Sequence, residues 1–277
     1  MLNQLVARNK NIKLILNYVV GPLVFCFLAW SICSELQARK DDRFSLTEAF
    51  SSADGSIICQ FILAALLVVV NWGIEARKWQ LLLRPFADIS LQQSFRAILS
   101  GNTFAFFTPN RVGEYFGRMV HIDSNKRMAS VPVTMACSMA QLLVTFIAGT
   151  AALFMLRGHL PMLFDGMPAA GPALLVASYI LLLGTLFLTI FYFRFNTVVR
   201  WVSSLSIFKK WIKGPAVWEG VNATLLFRVL SLSCARYLVF MVQYYLLFHV
   251  FKVDINWWQA FWTLSLVFLL IALVPGV

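Results

Sequence analysis

The stretch Gln93-Ser-Phe-Arg96-Ala97-Ile-Leu-Ser-Gly-Asn102-Thr-Phe-Ala-Phe-Phe-Thr108-Pro109-Asn110-Arg111-Val-Gly113-Glu114-Tyr-Phe-Gly-Arg118 decides the fold. Its apolar part, Ala97–Pro109, has only 13 residues. As a helix it would reach about 20 Å, short of the roughly 30 Å hydrocarbon core of a bilayer. Both flanks are basic, Glu75–Arg96 before it and Arg111–Arg127 after it, each with four Lys or Arg. Lys and Arg collect on cytoplasmic loops, so both flanks belong on one side. The run is therefore expected to enter and return as a re-entrant hairpin, with Arg96 and Arg111 on the same face. Irregular backbone at that depth is tolerated only beside protein or a wet cavity.

The composition places this stretch in a membrane. Of 277 residues 60% are hydrophobic and 13% charged, where a soluble domain is nearer a quarter charged. That excludes a soluble enzyme. The excess of 23 Lys and Arg over 12 Asp and Glu is too dilute for a nucleic-acid groove and fits loops facing anionic lipid. The five cysteines all sit in apolar stretches with no metal-ligand spacing, as small core residues.

Five runs are long enough to cross: Leu14–Cys33, Ile57–Ile74, Ala129–Leu156, Pro172–Phe193 and Val229–Phe251. The first follows Arg8 and Lys10 and is too long for a cleaved signal, so it is read as a retained span. Charge alternation puts the amino terminus in the cytoplasm, with Arg77–Lys78, Arg111–Arg127 and Arg194–Lys213 on the same side. The expectation is an all-α polytopic protein of the cell (inner) membrane, one membrane domain with five to six transmembrane helices and one or two re-entrant hairpins.

An internal repeat is weakly visible. Gln93-Ser-Phe95 with Pro109 recurs as Gln259-Ala-Phe261 with Pro275, at a constant offset of 166. Residues 1–156 then form a first repeat and 157–277 a second, incomplete one. An odd number of crossings per copy makes the second copy inverted, an arrangement typical of transporters. The alternative is that Trp257–Val274 is an ordinary sixth crossing. Under the repeat reading Pro275 lies within the membrane thickness, and a carboxylate at Val277 would be costly there. The chain is then expected to continue past Val277 with a Gly-Glu-like turn and a further span, or a partner or an aqueous cavity receives Val277.

Polar residues concentrate after the short run. Thr108 can cap a helix that starts at Pro109, leaving free amides and the Arg111 fork for an anion. Gly113 permits close approach, and Glu114 and Arg118 are one helical turn apart and can pair. Arg236, deep in the fifth span, needs a partner or a wet cavity; lipid phosphate and a structural pair with Glu75 or Glu114 both satisfy it. Asn71, Gln141 and Gln243 are compatible with polar interhelical packing. Glu75, Arg77 and Lys78 read as boundary anchors or headgroup contacts. His121-Ile122-Asp123 and Asp41-Asp42 lack the partners of a catalytic or metal site, and no phosphate-binding Gly loop is present. No cofactor and no metal are expected.

The pattern Asn102…Pro109-x-Arg111-x-Gly113-Glu114-x-x-x-Arg118 resembles the signature of the lysylphosphatidylglycerol synthase transmembrane-region family, a flippase-like family that includes the membrane half of the bacterial multiple peptide resistance factor. Asn71-Trp72…Glu75-Ala-Arg77-Lys78-Trp79, Arg236-Tyr237 and Val274-Pro275 are similar to it as well. No soluble aminoacyl-transfer domain is expected from this sequence, so the synthase activity of two-domain relatives is not carried over; the resemblance implies handling or translocation of a polar-headed lipid, here taken as phosphate-bearing. The substrate-binding set is then Asn102, Pro109, Arg111, Gly113, Glu114, Arg118 and Arg236, with Asn71, Glu75 and Arg77 as further headgroup contacts. Arg111 and Arg236 would bind phosphate, and Glu114 would orient Arg118 or meet a cationic headgroup. The partners are a phospholipid or lipid-linked headgroup and the bilayer, not nucleic acid. Rival functions are a membrane-embedded transferase acting on a lipid-linked substrate and a non-transporting membrane subunit.

Overall fold

A computed structural model describes residues 55–108, 111–124, 126–158, 170–204, 221–251 and 253–273. The described residues are helical, with no strand among them. The helices are α1 (Gly55–Leu83), α2 (Leu91–Phe106), α3 (Gly113–Met119), α4 (Ser130–Leu156), α5 (Ala170–Phe193), α6 (Phe195–Ser204), α7 (Ala223–Val250) and α8 (Trp257–Leu273). Four of them (α1, α4, α5 and α7) are long and apolar enough to cross a membrane, matching four of the expected spans. The fifth, Leu14–Cys33, lies outside the described residues, as do Pro109, Asn110 and Val274–Val277. The protein is a polytopic, all-helical membrane protein.

The hairpin forms with different boundaries from those read in the sequence. Leu91–Phe106 is one uninterrupted helix, and the returning arm is α3. Arg111 thus lies in the connection between α2 and α3, its amide donating to Thr108 O at 3.3 Å, while Arg96 sits in the second turn of α2. Helix α2 starts at a capping box: Ser90 Oγ accepts from the Gln93 amide at 3.1 Å, and Gln93 Oε1 accepts from the Ser90 amide at 3.0 Å. Helix α8 has a related start, where the Asn256 amide donates to Gln259 Oε1 at 3.4 Å.

Helices α2 and α3 approach closely because glycines face each other across the hairpin. A Cβ on Gly117 would sit 2.6 Å from Ser100 O and 2.7 Å from Gly101 Cα. One on Gly113 would overlap the Phe104 carbonyl, and one on Gly101 would meet the Arg118 stem at 2.9 Å. Small residues that let helix backbones approach are a common membrane packing device. Past the end of α3, Ser100 Oγ and His121 Nε2 lie 2.8 Å apart, tying the hairpin shut.

Helix α4 is the shared wall. Its Val133, Ala136, Ala140 and Leu143 pack with Trp79 and Leu82 of α1 and Ile98 of α2. Further along, Val144 joins Tyr237 and Met241 of α7 and Leu264 of α8. Gly149 admits the Leu269 side chain of α8. Outward positions of α5 such as Leu183, Phe187 and Ile190 are exposed, as expected for a surface solvated by lipid. The Trp79 indole is fully buried and donates to Thr134 Oγ1 at 3.1 Å. Thr134→Val would leave that N–H without an acceptor, an expected loss of about 1–3 kcal/mol measurable as a lower melting temperature in detergent.

Candidate functional site

Glu75 is the centre of the site. Asn71, Glu75 and Lys78 stand at i, i+4 and i+7 on α1 and so share one face. All three are buried, Lys78 completely. Lys78 Nζ lies 2.9 Å from Glu75 Oε2 and donates to the Cys137 carbonyl at 3.3 Å. Glu75 and Lys78 are therefore not solvated boundary anchors. Arg77 is exposed, donates to Gln80 Oε1 at 2.6 Å and is not among the residues that line the cavity described below.

Helix α7 delivers Arg236. Its Nη1 reaches Glu75 Oε2 at 2.9 Å and its Nε donates to Asn71 Oδ1 at 2.7 Å. The guanidinium also lies 5.4 Å from the centre of the Phe240 ring. The structural partner expected for Arg236 is thus present, yet 21% of its side chain stays accessible, on a cavity. Asn71 holds Arg236 but does not itself line that cavity.

The hairpin delivers the remaining charges. Arg118 Nη2 binds Glu114 Oε1 and lies 3.4 Å from Glu75 Oε1. Arg111 Nη2 lies 3.4 Å from Glu114 Oε2. Arg111 is the described non-glycine residue with a left-handed backbone, at φ 56°, a conformation costing an L-residue roughly 1–2 kcal/mol. Glu114 orients Arg118, as the spacing predicted. Each of its oxygens lies beside an arginine. Of the amides expected to be free after Thr108, that of Arg111 donates to Thr108 O at 3.3 Å and that of Gly113 is also engaged. Helix α3 starts at Gly113 rather than Pro109, and the Gly113 amide donates to Thr108 Oγ1 at 2.7 Å. The Thr108 hydroxyl in turn donates to Phe104 O at 3.1 Å, closing the turn on itself.

Four cations (Lys78, Arg111, Arg118, Arg236) meet two carboxylates (Glu75, Glu114), so the cluster holds two positive charges in excess. It faces a cavity of about 620 Å³, within the range of small-molecule sites. Glu75, Asn102, Arg111, Glu114, Arg118 and Arg236 all line it. So does Gln141 of α4, which the sequence gave no reason to separate from Gln243; the latter donates to Ala64 O at 3.0 Å as a packing contact. Phe240, Tyr244, Phe268 and Ile271 make an apolar wall of the same cavity. No group of three or more metal-ligating side chains occurs among the described residues.

Fold and site together define a polytopic helical membrane protein whose interhelical cavity is polar, cationic and part apolar. The chain belongs to the family described as the lysylphosphatidylglycerol synthase TM region, whose profile matches residues 15–277. Membership makes it a membrane protein related to lipid modification or translocation. No curated protein matches the chain, and no solved structure does.

Proposed function

We propose that the protein binds a phosphate-bearing lipid headgroup in this cavity and passes it across the bilayer of the cell (inner) membrane, with its amino terminus in the cytoplasm. The single observation that carries the reading is the cationic excess of the cluster beside an apolar wall: one accommodates a phosphate, the other the start of an acyl chain. Asn102, Arg111, Arg118 and Arg236 contact the headgroup, while Gly113 and Glu114 shape and orient that set. Helices α2 and α8 belong to two inverted copies in this reading. The support is their related starts, Ser90 with Gln93 and Asn256 with Gln259, at the offset of 166.

The test is a leaflet-resolved assay of headgroup-labelled phospholipid in proteoliposomes, with Arg236→Gln as the probe. Glu75 keeps Lys78 and Arg118 when Arg236 is neutralised, so no buried carboxylate is stranded. Transport is expected to fall at least about tenfold while the melting temperature moves by a few degrees at most. Equal losses of folded yield and transport would give Arg236 a purely structural role. Unchanged transport would remove it from the headgroup path.

A further inference from the structure

Helix α7 is held differently along its length. Its first turns are clamped: the Tyr192 hydroxyl donates to Leu226 O at 2.8 Å, and Leu226 and Val229 share an apolar cluster with Ala76 and Trp79 of α1. Beyond them Ser231 Oγ and Ser233 Oγ donate back to Phe227 O and Val229 O, each at 3.0 Å, a bond that loosens and bends helices. Past those serines the apolar partners of α7 change. Tyr237 and Met241 cluster with Val144 of α4 and Leu264 of α8, with no residue of α1 in that cluster, and the Tyr237 hydroxyl donates to Ser265 Oγ of α8 at 2.9 Å. Polar contacts join α1 to this half of α7 instead: Arg236 with Glu75 and Asn71, and Gln243 Nε2 donating to Ala64 O.

The Arg236 contact is asymmetric. Glu75 can lose Arg236 and stay neutralised, because Lys78 lies 2.9 Å and Arg118 3.4 Å from its oxygens. Arg236 cannot leave Glu75 without another anion, since a lone guanidinium at membrane depth is costly. Its accessible side faces the cavity, where such an anion would arrive. A ligand shifts a conformational equilibrium only by binding one state better than the other, and an anion that replaces Glu75 on Arg236 does so. Resting on the proposed lipid-binding role, we infer that Arg236 is a latch operated by the lipid phosphate, whatever else the headgroup carries. The phosphate takes Arg236 over from Glu75 and Asn71, and the far half of α7 parts from α1 with α8 attached. Asn71, which touches Arg236 but does not line the cavity, is a positioning residue: it holds the latch shut.

Asn71→Leu is the first test, in the leaflet-resolved assay with labelled phosphatidylglycerol. It weakens the closed state without touching the cavity, so transport is expected to rise at least about threefold while the folded yield holds. Unchanged or slower transport would make Asn71 a packing or headgroup contact and overturn its part in the latch. Spin labels on Leu66→Cys of α1 and Leu238→Cys of α7, both exposed positions, read the seam itself in the full chain with its five cysteines replaced by serine. Phosphatidylglycerol is expected to add a second, longer distance, and Arg236→Gln to show that distance without lipid. In a parent that moves lipid, one distance that neither change alters overturns the latch and leaves the transport reading standing. A parent that moves no lipid removes both. Glycerol phosphate is the soluble arm: if it lengthens the distance and phosphatidylglycerol does not, the trigger is a soluble anion and the lipid assignment fails.

Discussion

Glu75→Gln is expected to be the most destabilising single change among the described residues, lowering stability by roughly 3–5 kcal/mol. Three cations converge on that carboxylate: Lys78 and Arg236 at 2.9 Å and Arg118 at 3.4 Å. The cluster already carries two positive charges in excess, and the substitution makes it three. Glutamine keeps the shape and one acceptor oxygen but no charge, so fully buried Lys78 keeps the Cys137 carbonyl and must share one neutral oxygen with Arg236 and Arg118. Breaking a buried pair by removing one partner costs far more than replacing both with apolar groups. Hence Glu75→Gln with Lys78→Met should recover part of the loss, whereas Lys78→Met alone should be mild. Thermal unfolding in detergent is the measurement, with a drop of about 10 °C expected for the single variant. A parent-like melting temperature would mean that the three cations do not depend on Glu75.

The sequence announced this centre only in part, and the reason is angular. Arg77 and Lys78 are neighbours in the chain and look like one boundary pair, but successive helical residues point about 100° apart. Lys78 shares the face of Asn71 and Glu75; Arg77 does not, and it is exposed. The spacing of Asn71, Glu75 and Lys78 inside an apolar run was the available signal. The pairing of Glu114 with Arg118 was legible because one helical turn suffices to predict it. Which of several cations would close on Glu75 was not, because that depends on how α1, α3 and α7 are rotated about their axes. Gln141 and Gln243 look alike in sequence for the same reason, and packing alone separates the one on the cavity from the one against Ala64 O.

The hairpin shows the same limit at a larger scale, and it yields the strongest expected effect on transport. Hydropathy located the descending arm but put the turn inside it, because Phe106 and Phe107 continue the apolar run up to Pro109. The spacing Gly113-x-x-x-Gly117 marks the returning arm, since glycines one turn apart let two helices touch. Gly117→Ala would press a methyl group onto the Ser100 carbonyl and Gly101 Cα, and these are backbone atoms that cannot swing aside. The arms must separate, at a cost of about 1–3 kcal/mol. Glu114 and Arg118 ride on the displaced arm, so the headgroup contacts move with it. Displacements near 1 Å at a positioned site can cost on the order of a hundredfold in rate, and lipid transfer is expected to fall by that order. Gly73→Ala is the control, because a Cβ there meets nothing within 4 Å among the described residues. It should leave transport unchanged and raise helix stability by about 0.5–1 kcal/mol. Parent-like transport and melting in Gly117→Ala would show that α2 and α3 do not touch at Gly117, and Arg118 would lose the support that carries it to Glu75.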